Sequence, residues 1–268
     1  MSARLHLATS ALALAACAGV VASCGRGGGT GDHSGPPLRV AAAADLALAF
    51  EELGKDFERQ TGRRVDFTFG STGLLERQIE EGAPFDVFAA ANVSYADAAV
   101  KAGACDGATK RLYAQGRLAL WVKDAASLPK SLAELTSPRF SKIAIANPEH
   151  APYGKAAEES LAKAGVLGAV KNRLVFGDNV QQTLMFAQTG NVEVAIVALS
   201  LALKSGGAHL PIDPTLHVPI DQALVACTHR RPTGKPREAR AFIDFLSSPP
   251  ARATMRRHGF LLPGEPSP

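Results

Sequence analysis

The chain has 268 residues, 46% of them hydrophobic and 20% charged, with a formal net charge of +4. That length suffices for one large or two small hydrophobic cores, in a composition ordinary for a soluble globular protein. The charge is modest and no basic block stands out, which argues against nucleic acid as a partner.

The first two dozen residues read as an address rather than as fold. Met1-Ser2-Ala3-Arg4 is a short positive start, residues 5–21 are an Ala/Leu/Val run, and Val21-Ala22-Ser23-Cys24 is a small-residue stretch ending in Cys. This pattern predicts an export signal over residues 1–24. The apolar run is short and Ala-rich for a retained membrane span. The stretch before Cys24 resembles the lipobox of bacterial lipoproteins, whose Cys is lipidated and becomes the mature N-terminus. Leu14-Ala15-Ala16-Cys17 is a second match, but residues 18–21 continue the apolar run beyond it, so Cys24 is the expected lipidation site. Residues 25–37 (GRGGGTGDHSGPP) carry no apolar anchor and read as a flexible tether, with a reach of about 20 Å for a Gly-rich coil. The expected location is therefore periplasmic or at the cell surface, lipid-anchored to the membrane.

Past the signal only Cys105 and Cys227 remain. Export permits a disulfide between them, and two buried thiols are the alternative. There is no CxxC, and the His residues are scattered, so no metal-cation site is expected.

From residue 38 strand and helix patterns alternate. Residues 38–43 are a short apolar strand, and Leu46, Phe50, Leu53 and Phe57 recur at helical spacing after it. Asp45 is placed to cap that helix and Gly62 to end it. A strand over 65–69 leads through Gly70-Ser71-Thr72-Gly73 into a helix closing at Gly82. A third strand covers 84–90, and Ser94-Tyr95-Ala96-Asp97 has the form of a capping box for the next helix. A strand at 117–122 opens a second series: strand 143–146 and a helix to about residue 164, then strand 174–177 and a helix through Met185 to Gln188, then strand 192–198. Residues 218–227 read as a late strand, and 236–246 and 250–258 as amphipathic helices. The predicted fold is α/β with two lobes, each a mostly parallel sheet flanked by helices. Lobe 1 takes residues 38–116 and 219–268, and lobe 2 takes 117–218.

Each lobe contributes two strand-to-helix turns: Ala43-Ala44-Asp45 and Gly70-Ser71-Thr72-Gly73 in lobe 1, Ala151-Pro152-Tyr153-Gly154 and Asp178-Asn179-Val180 in lobe 2. Facing lobes would aim helix N-termini, with their free N–H groups and positive dipole ends, at one cleft. With the hydroxyls of Ser71, Thr72 and Tyr153, that makes a neutral, donor-rich socket for a fully deprotonated tetrahedral anion. Several charge-assisted hydrogen bonds of ~1.5–3 kcal/mol each would offset desolvation of a dianion without a Lys or Arg. Singly, each turn has a plainer reading: a helix start, a packed Tyr, an Asn cap. The joint pattern is what points to a site. None of these turns holds a His, Cys or Lys, so an enzyme is not expected.

Longer runs carry a family resemblance. Val40-Ala41-Ala42-Ala43-Ala44-Asp45-Leu46, Phe69-Gly70-Ser71-Thr72-Gly73, Gly82-Ala83-Pro84-Phe85-Asp86-Val87-Phe88, Gly116-Arg117-Leu118-Ala119-Leu120-Trp121 and Asn147-Pro148-Glu149-His150-Ala151-Pro152-Tyr153-Gly154 resemble the molybdate-binding proteins of ABC uptake systems. His258-Gly259-Phe260 is a weaker match. The resemblance implies a type II periplasmic-binding-protein fold that captures molybdate or tungstate in the interlobe cleft and delivers it to a membrane permease. It implies no cofactor and a monomer. Carried over by position, it implies Ala44, Asp45, Ser71, Thr72, Tyr153 and Val180 as the oxyanion-binding residues. Ser71 and Thr72 would give side-chain and backbone donors, Ala44 and Val180 backbone N–H groups, and Tyr153 its N–H, its phenol or both.

Asp45 departs from the Ser or Asn often found at its position in that family. A carboxylate at ~4 Å from an anion, in an effective dielectric near 20, costs about 4 kcal/mol per unit of ligand charge. Either the carboxylate turns sideways onto its own helix's N–H groups, or it takes a proton from a protonated oxyanion. The second possibility keeps sulfate or phosphate as alternative ligands.

Overall fold

A computed structural model describes residues 36–228 and 236–265. The expected signal, with Cys17 and Cys24, and nearly all of the tether lie outside the described residues.

The first half of the chain runs β1 (Leu38–Ala43), α1 (Ala47–Thr61), β2 (Val65–Gly70), α2 (Thr72–Glu80), β3 (Val87–Ala90), α3 (Val93–Lys101) and β4 (Cys105–Gly116). The second half runs β5 (Leu118–Val122), β6 (Ile143–Ala146), α4 (Pro152–Lys163), α5 (Leu167–Val170), β7 (Leu174–Gly177), α6 (Val180–Gln188), β8 (Val194–Ala198), α7 (Leu199–Ala202) and β9 (Ala208–Pro211). The chain then returns through β10 (Ile220–Cys227) and closes with α8 (Pro236–Leu246) and α9 (Pro249–Arg257).

Two five-stranded sheets result, ordered β2-β1-β3-β10-β4 and β7-β6-β8-β5-β9. In each sheet the βα strands pair in parallel, and the strand that carries the chain between lobes, β10 or β5, runs antiparallel to both neighbours. Each sheet is thus mixed: a crossing strand arrives from the other lobe and enters against the direction of the βα series. β3, β6 and β8 are buried along their whole length, as expected of strands covered by helices on both faces.

α1 buries Phe50, Leu53 and Phe57, and Gly62 ends it in the left-handed region at φ 69°, its N–H bonded to the Glu58 carbonyl. Phe242 of α8 packs edge-on against Phe57 with ring centroids 5.3 Å apart, which seats the C-terminal helices on the first lobe.

Three local expectations are corrected. Asp45 does not cap α1: residues Ala44–Leu46 form a 3-10 turn with no side-chain cap, and the helix begins after it. The α3 cap is Asn92, whose side chain accepts from Ser94 N–H, in place of a Ser94 capping box. β4 and β9, both at sheet edges, have no counterpart in the sequence reading. Cys105 and Cys227 are both free, buried, and directly opposed across β4 and β10.

Candidate functional site

The four turns meet. Ala44, Asp45, Ser71, Thr72, Tyr153 and Val180 all line one small cavity between the lobes, with free space of only about 10 Å³, together with Ala43, Gly70, Ala91, Ala151, Pro152 and Asn179. No Lys, Arg or His is among these lining residues.

Each turn delivers its donors for a local reason. At α6, the Asn179 side chain accepts from Gln181 and Gln182 N–H at 3.0 and 3.1 Å. That leaves the N–H of Val180, the first helical residue, as the unsatisfied donor of that turn. At α4, Pro152 occupies the first turn and has no N–H to satisfy, so Tyr153 supplies the first backbone donor. At α2, Gly73 N–H is taken by the His150 carbonyl at 2.9 Å, and Thr72 at the first helical position keeps its own. Thr72 Oγ1 accepts from Ala91 N–H at 3.2 Å, a role that leaves its proton available to donate.

Ser71 is placed differently from its expected role. Its Oγ donates to the His150 carbonyl at 2.6 Å and lies 2.8 Å from His150 Nδ1. With its proton on the carbonyl, Ser71 accepts from the ring N–H, so this Ser–His contact does not activate a nucleophile. The hydroxyl bridges the lobes, and the backbone N–H is what Ser71 brings to the cavity. The approach is close enough to require Gly73: a Cβ there would stand 2.9 Å from the His150 carbonyl oxygen.

Asp45 is the electrostatic centre. It is 1% exposed. Oδ2 accepts from Gln222 Nε2 at 2.6 Å and from the Tyr153 phenol at 2.8 Å. Oδ1 makes no hydrogen bond. The carboxylate caps no helix and instead joins a polar chain that continues from Gln222 Oε1 to the Tyr113 phenol at 2.7 Å. Ser200 on α7 donates to the Asp45 carbonyl at 2.8 Å. Tyr153 and Ser200 come from the second lobe, so Asp45 is held from both sides of the cleft. Burial pushes its pKa up to about 6, against the lowering effect of the Gln222 and Tyr153 donors and of its own backbone N–H. Burial, and then the nearby Asp45 charge, push both phenols well above their usual range, so both stay neutral donors.

His150, Gln222, Ser200 and Tyr113 were missed by sequence reasoning. The NPEHAPYG run held a signal for His150. The others come from strands and a short helix far along the chain, with nothing in their local sequence to mark them.

The family of bacterial extracellular solute-binding proteins matches residues 38–261 of this chain. The chain belongs to that family. This solute-binding protein is 35% identical over 227 residues to the molybdate-binding protein ModA of Azotobacter vinelandii, covering 83% of this chain and 89% of the relative. It is 35% identical over 223 residues to ModA of Rhodobacter capsulatus, covering 83% and 87%. The solved periplasmic molybdate-binding protein of A. vinelandii superposes with a TM-score of 0.78 at 29% identity, covering 84% of this chain and 99% of that one. The solute-binding protein thus has the two-lobed type II fold, with the cavity at its interlobe cleft.

Proposed function

We propose that this solute-binding protein captures molybdate or tungstate and hands it to the permease of an ABC transporter. One observation carries the reading: donors from two turns of each lobe line a single buried cavity with no cationic side chain among its lining residues. That socket matches a tetrahedral dianion, which accepts hydrogen bonds and offers none. Relatives named for molybdate binding support the same ligand. The binding set in this proposal is Ala44, Asp45, Ser71, Thr72, Tyr153 and Val180, with lobe 1 formed by residues 38–116 and 219–268 and lobe 2 by 117–218. The protein acts as a carrier and not as an enzyme, without a cofactor, as a monomer. Cys24 carries the lipid that ties it to a membrane, in the periplasm or at the cell surface.

The test is ligand-induced stabilisation of the purified protein by molybdate, tungstate, sulfate and phosphate. At a hundredfold its dissociation constant a ligand adds about 2.7 kcal/mol. Molybdate and tungstate should raise the melting temperature at micromolar concentration. A shift with phosphate or sulfate and none with molybdate would overturn the reading.

A further inference from the structure

Asp45 poses a problem that the donor set alone does not solve. It lines the cavity, is 1% exposed, and is a carboxyl group where an anion would sit. Its two oxygens are not equivalent. Oδ2 is saturated by the Gln222 amide and the Tyr153 phenol, at 2.6 and 2.8 Å. Oδ1 is buried without any partner. A carboxylic acid carries its proton on the oxygen that is not already accepting two bonds, which here is Oδ1. Protonated there, Asp45 keeps both existing bonds and becomes one more donor for the anion.

No group hydrogen-bonded to Asp45 is charged; the other buried carboxyl near the cavity turns, Glu76 of α2, is pushed up to about 7 by burial and then by its neighbour Glu80, and makes no bond to Asp45. α4 contributes Tyr153, β4 contributes Tyr113 through Gln222 of β10, and α7 contributes Ser200, all neutral. α6 and α7 hold no charged residue. On α1, Glu51 is exposed, and Glu52 pairs outward with Arg257 and His258. Asp66 of β2 and Lys155 of α4 are exposed, as is Asp221 of β10, which accepts from Gln115. His150 faces Ser71 at the opposite turn. No described hydrogen bond or ion pair to Asp45 comes from a cation.

We propose that this protein takes up its oxyanion together with one proton, held on Asp45 Oδ1, so that capture is proton-coupled. The inference rests on the oxyanion reading above and goes beyond it. In the empty protein the carboxyl titrates at about 6. A bound dianion raises it further, because the ionised form then faces like charge at close range. Between those two values each bound anion brings in one proton, and affinity falls about tenfold per pH unit as pH rises. Below about pH 6 the carboxyl is already neutral and affinity is flat.

The experiment is calorimetric titration of molybdate into the full chain at pH 7.5, in buffers of differing ionisation enthalpy. The expected result is uptake of close to one proton per molybdate bound. The dissociation constant should rise about tenfold between pH 7 and pH 8. Asp45→Asn should bind with near-zero proton uptake and no such slope. Tight molybdate binding by the wild type with no proton uptake would overturn the proposal and leave the oxyanion reading standing. An unchanged slope in Asp45→Asn would also overturn it, assigning the proton to another group. Tight phosphate binding without proton uptake would place the proton on the ligand, again against the proposal. Absence of molybdate binding at both pH 6 and pH 8 would remove the oxyanion reading itself, and this inference with it. The wild-type proton count does not depend on any variant folding.

Discussion

Ser71 and His150 join the two lobes: Ser71 Oγ donates to the His150 carbonyl at 2.6 Å, on the far side of the cleft from the turn that bears it. The bond exists only when the lobes are together, so it favours the closed form in which the cavity is complete. Ser71→Ala removes it and leaves the His150 ring N–H without its acceptor. The molybdate dissociation constant should rise about five- to tenfold, the equivalent of about 1 kcal/mol for one such bond. Small-angle scattering of the empty variant should show a more open shape than wild type. An unaltered affinity and shape would mean the contact follows closure without favouring it.

Asp45 sets a pH dependence in the empty protein. Its folded carboxyl holds a proton up to about pH 6, and the unfolded one loses it near 3.8. Between those values the folded state binds more protons than the unfolded state, so stability falls as pH rises from about 4 to 6. The fall is about 3 kcal/mol for a gap of that size. Asp45→Asn has no charge to bury and should lack this fall. At pH 7 without ligand it should exceed the wild type by up to about 3 kcal/mol in urea unfolding. A variant less stable than wild type at pH 7 would show that the ionised carboxylate is compensated in place.

Gly116 and the Tyr153 phenol share one space. A Cβ on Gly116 would stand 2.0 Å from the phenol oxygen. Gly116→Ala must therefore push the phenol off Asp45, costing about 1–3 kcal/mol for the disrupted buried hydrogen bonds. Tyr153→Phe removes the oxygen at 2.0 Å and leaves only the ring carbon, at 2.8 Å, to give way. The double variant should be less destabilised than the sum of the two single changes, a coupling readable in a double-mutant cycle. Additive losses would mean that the backbone, and not the phenol, gives way.

Thr72 separates donor from shape. Thr72→Val keeps the volume but leaves Ala91 N–H without its acceptor and removes a hydroxyl from the cavity. Molybdate affinity should fall about tenfold or more, while Thr72→Ser stays within about threefold of wild type. Equal losses in both variants, measured by calorimetry, would point to packing and not to the hydroxyl.

What was legible in the sequence follows from physical range. The βα alternation could be read because each buried strand is a short apolar run and each helix has a local stop, as at Gly62 and Gly190. The cavity-lining turns could be read for the same reason. The edge strands β4 and β9 could not, since CDGATKRLYAQG and AHLP carry polar and turn-forming residues on half-exposed backbone. What holds the Asp45 side chain in place was invisible for another reason. Its partners Tyr153, Gln222 and Ser200 lie 108, 177 and 155 residues away, and no local pattern encodes a hydrogen bond across that distance. The cap assigned to it was the reasonable local choice, displaced by the 3-10 turn that aims its carboxyl into the cleft.

β10 lies between β3 and β4 in the first sheet, although more than a hundred residues, including all of the second sheet, separate it from β4 in the chain. The second sheet, built from Leu118 to Pro211, is contiguous and has every strand it needs once that segment exists. The first sheet stays split, β3 and β4 without the strand that joins them, until Cys227 has been made. Folding order is thereby set by topology: the lobe that comes later in the sequence is the first able to finish. A chain released from its N-terminus during synthesis therefore keeps its leading half from completing its sheet until most of the chain has emerged.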